Sequence, residues 1–387
     1  MRLARIALSA CLVLAPAAQG AAPPLSPGEK PAPGSTEAEL WYGMDQAEKQ
    51  IRDSPLRVTD PALNRYVQDV LCKVTADYCG DLRLYIIDVP VFNASMAPNG
   101  VVLVFSGALL RMQDEAELAL VLGHEFAHYR QRHSLQSWDK AKDTTAFLAT
   151  FGVLTWVGGA GLAGGIAQLA GLANMMQFSR DNEREADVIG FGIASQLGYD
   201  PQAGVRIWQR MLNEEKANVR AKHSPVFASH PETAERLEDM AAAAARYRGV
   251  DFKTNQQAFD AATEPYLQNW LEAELSRRMY DTSIQVIRDL RAGARPELEG
   301  IYDFYQGEAL RRRKKPGDLE QADILYARAV SNAHAPAEAW REYGFARERS
   351  GQSAEALLGL KTYLAKKPDA GDRLFIEQDI VRLETKP

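Results

Sequence analysis

The sequence predicts a mainly α protein: a helical domain carrying a small β-sheet, followed by an α-solenoid of paired helices. Three observations predict it. Apolar residues recur at helical spacing, most clearly Leu118, Val121, Leu122 and Phe126. Segments rich in β-formers are confined to Leu82–Val89, which alternates, and Val101–Phe105. Towards the C-terminus, Trp340, Gly344, Ala356, Leu360 and Pro368 fall at the offsets of a helix–turn–helix repeat of about 34 residues.

Composition sets the bounds. The chain has 387 residues, 46% hydrophobic and 25% charged, with a formal charge of −6. That is ordinary globular composition, long enough for two domains. It excludes disorder throughout and a disulfide-dense miniprotein. With no basic excess to neutralise phosphates, nucleic acid is not an expected partner.

The N-terminus reads as a targeting segment. Arg2 and Arg5 precede an apolar run from Ile6 to Ala15, and Ala18-Gln19-Gly20 presents small residues at a cleavage site. Residues 1–20 therefore read as a secretory signal peptide. Leu8-Ser9-Ala10-Cys11 also has the form of a lipobox, which would anchor a lipid on Cys11. Either reading puts the protein outside the cytoplasm. There, the two remaining cysteines, Cys72 and Cys79, are a candidate disulfide; the alternative is two buried thiols.

The elements follow in order. Residues 21–36 hold five prolines and read as a disordered leader. A domain over 37–250 begins with a helix at Glu37–Ile51 and a second opened by Asp60-Pro61, running to about Ala76. Pro98-Asn99-Gly100 turns the chain between the two strands. Asp114 caps a half-buried amphipathic helix, with Glu117 three residues on as in a capping box. No charge occurs from Thr144 to Ser179, and the Gly-rich run 147–173 breaks at Gly158-Gly159-Ala160-Gly161, which suggests a hairpin. Residues 264–387 form the repeat domain, of tetratricopeptide type. Gly307, Ala322, Tyr326 and Ala329 mark a second unit, Trp270–Pro296 a degenerate first one, and the run Arg311–Lys315 a solvated helix end.

The chemistry lies on the capped helix. His124-Glu125-Phe126-Ala127-His128 puts two histidines at i and i+4, one turn apart on one face. Two imidazoles so placed are half of a tetrahedral zinc site, with Glu125 beside a metal-bound water. A third histidine six residues after His128 would mark a metzincin, but Ser134 stands there and His133 is one residue short. A carboxylate from another helix is the other solution. Ser179-Arg180-Asp181-Asn182-Glu183-Arg184-Glu185-Ala186-Asp187 offers Glu183 and Asp187 on one face. Two like charges there repel unless something neutralises them. With Glu183 on the metal, Asp187 would fix the tautomer of His124.

HExxH, an apolar Gly-rich stretch and the Ser-Arg-…-Glu-x-x-Ala-Asp string together resemble the HtpX/BepA family of gluzincin metalloproteases, to which the CAAX prenyl endoprotease belongs. The resemblance covers roughly residues 40–245 by motif and 264–387 by repeat type only. It implies a helical zincin domain with one zinc ion on His124, His128 and Glu183 and Glu125 as general base. It also flags Ser229-His230-Pro231 and Glu235-Arg236. His230 is expected near the metal as a fourth ligand or an oxyanion stabiliser, with Arg236 behind the ligands. His223 is read as a plain loop histidine. The signal peptide, this domain and the repeats are similar to the BepA-like branch, periplasmic chaperone-proteases of outer-membrane protein assembly. Expected partners are unfolded or misassembled envelope proteins, the outer-membrane assembly machinery through the repeats, and peripheral membrane contact through 147–173. A single membrane crossing there would separate His128 from Glu183, so the stretch is expected as a hairpin. The strand pair around Leu82–Phe105 is expected to be the edge that receives substrate.

Overall fold

The computed structural model describes residues 23–141, 178–217, 230, 234–247 and 251–385. The signal peptide, the 147–173 stretch, His223 and Pro231 lie outside the described residues. Among the described residues, no helix is long and apolar enough to cross a membrane.

The leader is not disordered where it is described. Residues 23–35 form no helix or strand, as their prolines dictate, yet they are pinned to the domain. Leu25 is buried in the main core, and its N–H donates to the carbonyl of Arg130 at 2.7 Å. The Tyr78 hydroxyl donates to the Leu25 carbonyl, and the Gly28 N–H donates to Asp81.

Capping residues set the first two helices. Helix α1 (Thr36–Arg52) starts where the Ser35 hydroxyl accepts the N–H of Ala38, with Glu37 and Glu39 in its first turn and Lys49 and Arg52 in its last. Helix α2 (Pro61–Thr75) starts at Asp60, whose carboxylate accepts the N–H groups of Ala62 and Leu63. A short 3-10 turn follows, and the sequence-paired Cys72 and Cys79 have Cα atoms 4.8 Å apart, within reach of one bond.

Strand β1 (Arg83–Ile87) lies where the alternation predicted it, and strand β3 (Val101–Phe105) where the run of β-formers did. Between them is a strand the sequence did not signal, β2 (Ala94–Met96), too short for a period-two pattern to register. The sheet order is β1-β3-β2, with β1 parallel and β2 antiparallel to β3. This corrects the expected substrate edge. Strand β3 is the fully buried centre, and the outer side of β1 bonds to Leu56 and Val58. The open edge is β2, which has no other strand beside it among the described residues.

After a short helix α3 (Ser106–Arg111), helix α4 (Glu115–Arg130) carries the histidine motif. Asp114 accepts the Glu117 N–H at 2.9 Å, but the Glu117 carboxylate turns back to the N–H of Gln113, one residue earlier than a capping box would have it. Helix α4 is also not half-buried. Only Val121 and Arg130 escape full burial. Its polar residues looked like a wet face in the sequence, but they meet α5 (His133–Ala141), α6 (Arg180–Gln196) and α7 (Gln202–Ala217), with α2 and β2 on the remaining sides.

Helix α6 begins at Ser179, whose hydroxyl accepts the Asn182 N–H. It crosses α4 backbone to backbone at Gly123 and Gly190. A Cβ on Gly190 would lie 2.7 Å from the His124 nitrogen and 2.9 Å from the Gly123 carbonyl carbon. Only a residue without a side chain permits that approach.

The rest of the chain is helical: α8 (Ala234–Ala245), α9 (Gln256–Thr263), α10 (Leu267–Ser276), α11 (Tyr280–Ala292), α12 (Glu299–Arg313), α13 (Asp318–Ala329), α14 (Ala337–Arg349), α15 (Ser353–Lys366) and α16 (Arg373–Glu384). Helices α12 and α13 pack as a pair, with Gly307 against the Tyr326 ring. Helices α14 and α15 do the same, with Gly344 against Leu360. The basic run at the end of α12 is not simply solvated. Arg312 pairs with Glu272, and Arg313 with Asp281 and Asp318, which ties α12 to its neighbours.

One apolar core runs from Leu25 through α2 and α4 to Ala339, so the histidine-motif region and the first helical pairs share an interior. Arg111 is buried in it. It donates to Glu214 of α7 at 2.6 and 2.8 Å and to Glu274 of α10 at 2.8 Å. Burial alone would raise the Glu274 pKa; the guanidinium groups of Arg111 and Arg277 outweigh it and hold the carboxyl below its usual range.

The glycine crossing yields the first prediction. Gly190→Ala should push α6 away from α4, lowering stability by about 1–3 kcal/mol through overpacking and weakening metal binding with it. Thermal unfolding and metal content of the purified protein measure both; wild-type values for each would mean the crossing has slack.

Candidate metal centre

The i, i+4 spacing on α4 brings the two imidazoles together. The rings of His124 and His128 lie 4.7 Å apart, and their Nε2 atoms are 3.1 Å apart. Glu183, in the first turn of α6, brings Oε1 to 3.5 Å from His128 Nε2 and Oε2 to 3.6 Å from His124 Nε2. His230 brings Nδ1 to 3.3 Å from His124 Nε2 and 3.0 Å from Glu183 Oε1. All four residues are buried, and one donor atom from each lies within 4.8 Å of the others.

These separations suit a metal. Donors bound at about 2.0–2.1 Å to a tetrahedral ion stand about 3.3 Å from one another. The separations of 3.0–3.6 Å just given straddle that value. Protonation suits it too. Burial, with the other histidines adding to it, holds the His128 imidazole well below its usual pKa range, hence neutral. Burial pushes the Glu183 carboxyl up, but His230, His124 and Arg236 outweigh it and keep it ionised. A neutral imidazole and a carboxylate are the forms that bind a cation.

A second layer orients these donors. Asp187 Oδ1 lies 3.0 Å from His124 Nδ1. Arg236 spans both carboxylates. Its Nη1 is 2.7 Å from Glu183 Oε2, while Nε and Nη2 donate to the two Asp187 oxygens at 2.7 and 2.9 Å. The like charges on α6 are thus bridged by one planar cation. The Trp208 indole lies over that guanidinium at 4.9 Å.

The structure adds residues that sequence reasoning passed over. His133, considered only as a failed third ligand, brings Nδ1 to 2.9 Å from His128 Nδ1 and Nε2 to 3.2 Å from Glu185 Oε2. With His128 Nε2 facing the donor cluster, its Nδ1–H donates to His133, whose own proton then faces Glu185. Phe178 stacks on the His128 ring at 3.8 Å. The fold-back of His133 depends on Arg132, whose φ of +55° ends α4 and starts α5. No pattern in a single sequence announces a left-handed arginine.

Glu125 is set apart from the four donors. It is buried, and its Oε1 lies 3.8 Å from His230 Nε2. Burial pushes its carboxyl above the usual range, with His230 opposing. A carboxylate of raised basicity beside the donor cluster can accept a proton there.

Residues 58–244 match the sequence profile described as peptidase family M48. The chain is 28% identical over 276 residues to a putative beta-barrel assembly-enhancing protease of Vibrio cholerae, covering 61% of this chain and 56% of the relative. It is 27% identical over 217 residues to the beta-barrel assembly-enhancing protease of Escherichia coli K12, covering 52% and 42%. It is 35% identical over 179 residues to the mitochondrial metalloendopeptidase OMA1 of Schizosaccharomyces pombe, covering 44% and 50%. The chain spans about half the length of these curated relatives.

Asp187→Ala removes an anchor of His124 without removing a donor. Metal affinity, measured by competition against a chelating dye, should fall about 10–100-fold in protein whose circular dichroism is unchanged.

Proposed function

We propose that this chain, whose residues 58–244 match the peptidase family M48 profile, is a zinc-dependent endopeptidase of the bacterial periplasm that degrades misfolded or stalled outer-membrane proteins. The observation that carries the peptidase reading is the convergence of His124, His128 and Glu183 from two helices, with the Glu125 carboxylate beside them. The names of the Vibrio and Escherichia relatives support the link to β-barrel assembly. The two histidines, the carboxylate and the tetrahedral spacing favour zinc.

His124, His128 and Glu183 would hold the ion. Zinc supplies an activated water and a polarised carbonyl when bound. Glu125 takes the proton released on attack and passes it to the leaving amine. Arg236, Asp187 and His133 hold the donors in place. The open edge of β2, beside α4, can pair with an extended chain, which favours unfolded substrates over folded ones. The paired helices from α12 onward are read as tetratricopeptide repeats that recruit clients or dock the enzyme on an envelope assembly. The periplasmic location rests on the signal peptide, with a lipid on Cys11 as the alternative, and fits a Cys72–Cys79 disulfide.

His230 favours a second reading. As a fourth protein donor it would take the position that catalysis needs open. The chain would then be a latched, mainly non-proteolytic chaperone or scaffold for outer-membrane assembly until His230 is displaced.

Two variants test this. Glu125→Gln should retain bound metal and lose about 10²–10⁴-fold of the chelator-sensitive cleavage of unfolded casein; cleavage at the wild-type rate would falsify the assignment. His230→Ala should raise casein cleavage several-fold as a latch is removed, whereas a drop would assign it to the reaction itself.

A further inference from the structure

A chain of contacts joins the leader to the donor cluster through the end of α4. The Leu25 N–H donates to the Arg130 carbonyl at 2.7 Å, which lays the leader against the last turn of that helix. Tyr78, whose hydroxyl donates to the Leu25 carbonyl, meets the ring of Phe126 edge-on at 5.0 Å, inside the histidine motif. Further along the leader, Glu29 closes a turn by accepting the Ser26 N–H at 2.9 Å, and it forms an ion pair with Arg132. Glu37, in the first turn of α1, accepts from Arg132 Nη1 at 3.2 Å. Two carboxylates thus bracket the guanidinium. The Arg132 side chain is only 10% exposed, so these pairs are shielded from water more than an open surface pair is.

What the carboxylates hold is a strained backbone. Arg132 has a φ of +55°. In that left-handed region the Cβ of an L-residue crowds the following carbonyl oxygen, a cost that glycine does not carry. The strained residue places its neighbour. In an unbroken helix, His133 would stand about 140° round the axis from His128. The left-handed turn instead folds the chain back, and buried His133 sets its Nδ1 2.9 Å from His128 Nδ1. The contacts therefore run from leader to guanidinium, to left-handed backbone, to His133, to a donor histidine.

We propose that Arg132 is a positioning residue for the metal centre, held in place by Glu29 of the leader and Glu37 of α1, so that metal affinity depends on the leader. Without the two carboxylates the strain at Arg132 is unopposed, and His133 moves off the His128 ring. A cut through the leader, or tension on it, would loosen the ion in the same way. The proposal rests on His124, His128 and Glu183 being metal donors, and its test reads metal binding rather than cleavage. Zinc affinity of the full chain is measured by competition against a chelating dye. Glu29→Gln combined with Glu37→Gln should weaken it about 5–30-fold, the fold-change that left-handed strain at one residue corresponds to. Adding Arg132→Gly to that double variant should recover most of the loss, because glycine takes a positive φ without a clamp. Arg132→Ala, which removes the clamp and keeps the strain, should leave affinity as weak as in the double variant. A general loosening of the fold would not be rescued by glycine. Wild-type affinity in the double variant overturns the proposal, as does an Arg132→Gly protein that binds no tighter than Arg132→Ala. A wild-type chain that takes up no zinc removes the metal-centre reading and the proposal together.

Discussion

The close crossing of two helices at Gly123 and Gly190 underlies the candidate metal centre. The histidines belong to one helix and Glu183 to the other, with more than 50 residues of chain between them. Backbone contact brings the second helix close enough for a short carboxylate to reach the histidine nitrogens. A Cβ at Gly190 would meet the nitrogen of His124 itself, one of the four clustered donors, so packing and donor geometry are one constraint at this point.

That closeness brings an electrostatic cost, and the surrounding residues offset it. Glu183 and Asp187 stand one turn apart in an interior that disfavours charge. Arg236 bridges them through three nitrogens, so they remain ionised despite burial. His133 and Glu185 do for His128 what Asp187 does for His124. Both histidines of the pair are therefore held from behind, through the nitrogen that faces away from the donor cluster. Histidines left to rotate would spread their donors over a range of positions and lose affinity for an ion of fixed coordination length.

The helical C-terminal region is part of the same packed unit. Helix α7 carries Ile207, Trp208 and Met211 beside the site and Glu214 further along. Glu214 is held with Glu274 by buried Arg111, so α7, α3 and α10 are joined by one ionic cluster. Removing one partner would leave a buried charge uncompensated, which is far more destabilising than losing a surface pair. The wall of the cleft and the first helical pair therefore share one anchor, and the apolar core is continuous across the segment between them.

Much of this was legible in the sequence. The helix boundaries at Asp60 and Asp114, the two longer strands, the ligand pair at i and i+4, the Glu183–Asp187 spacing and the approach of His230 all follow from local rules or from the family resemblance. Local rules see short-range periodicity and capping, and ligand spacing is short-range. Other features needed the tertiary structure. Strand β2 is three residues long, so its pairing with β3 makes it a strand. From residue 23 the leader is ordered because Leu25 is buried against elements far away in the chain. Helix α4 carries polar residues on several sides, and only its neighbours reveal that those sides are interior. His133 joins the site through a left-handed Arg132. In each case the deciding partner lies outside the window over which sequence periodicity is read, and burial or pairing with that partner set the outcome.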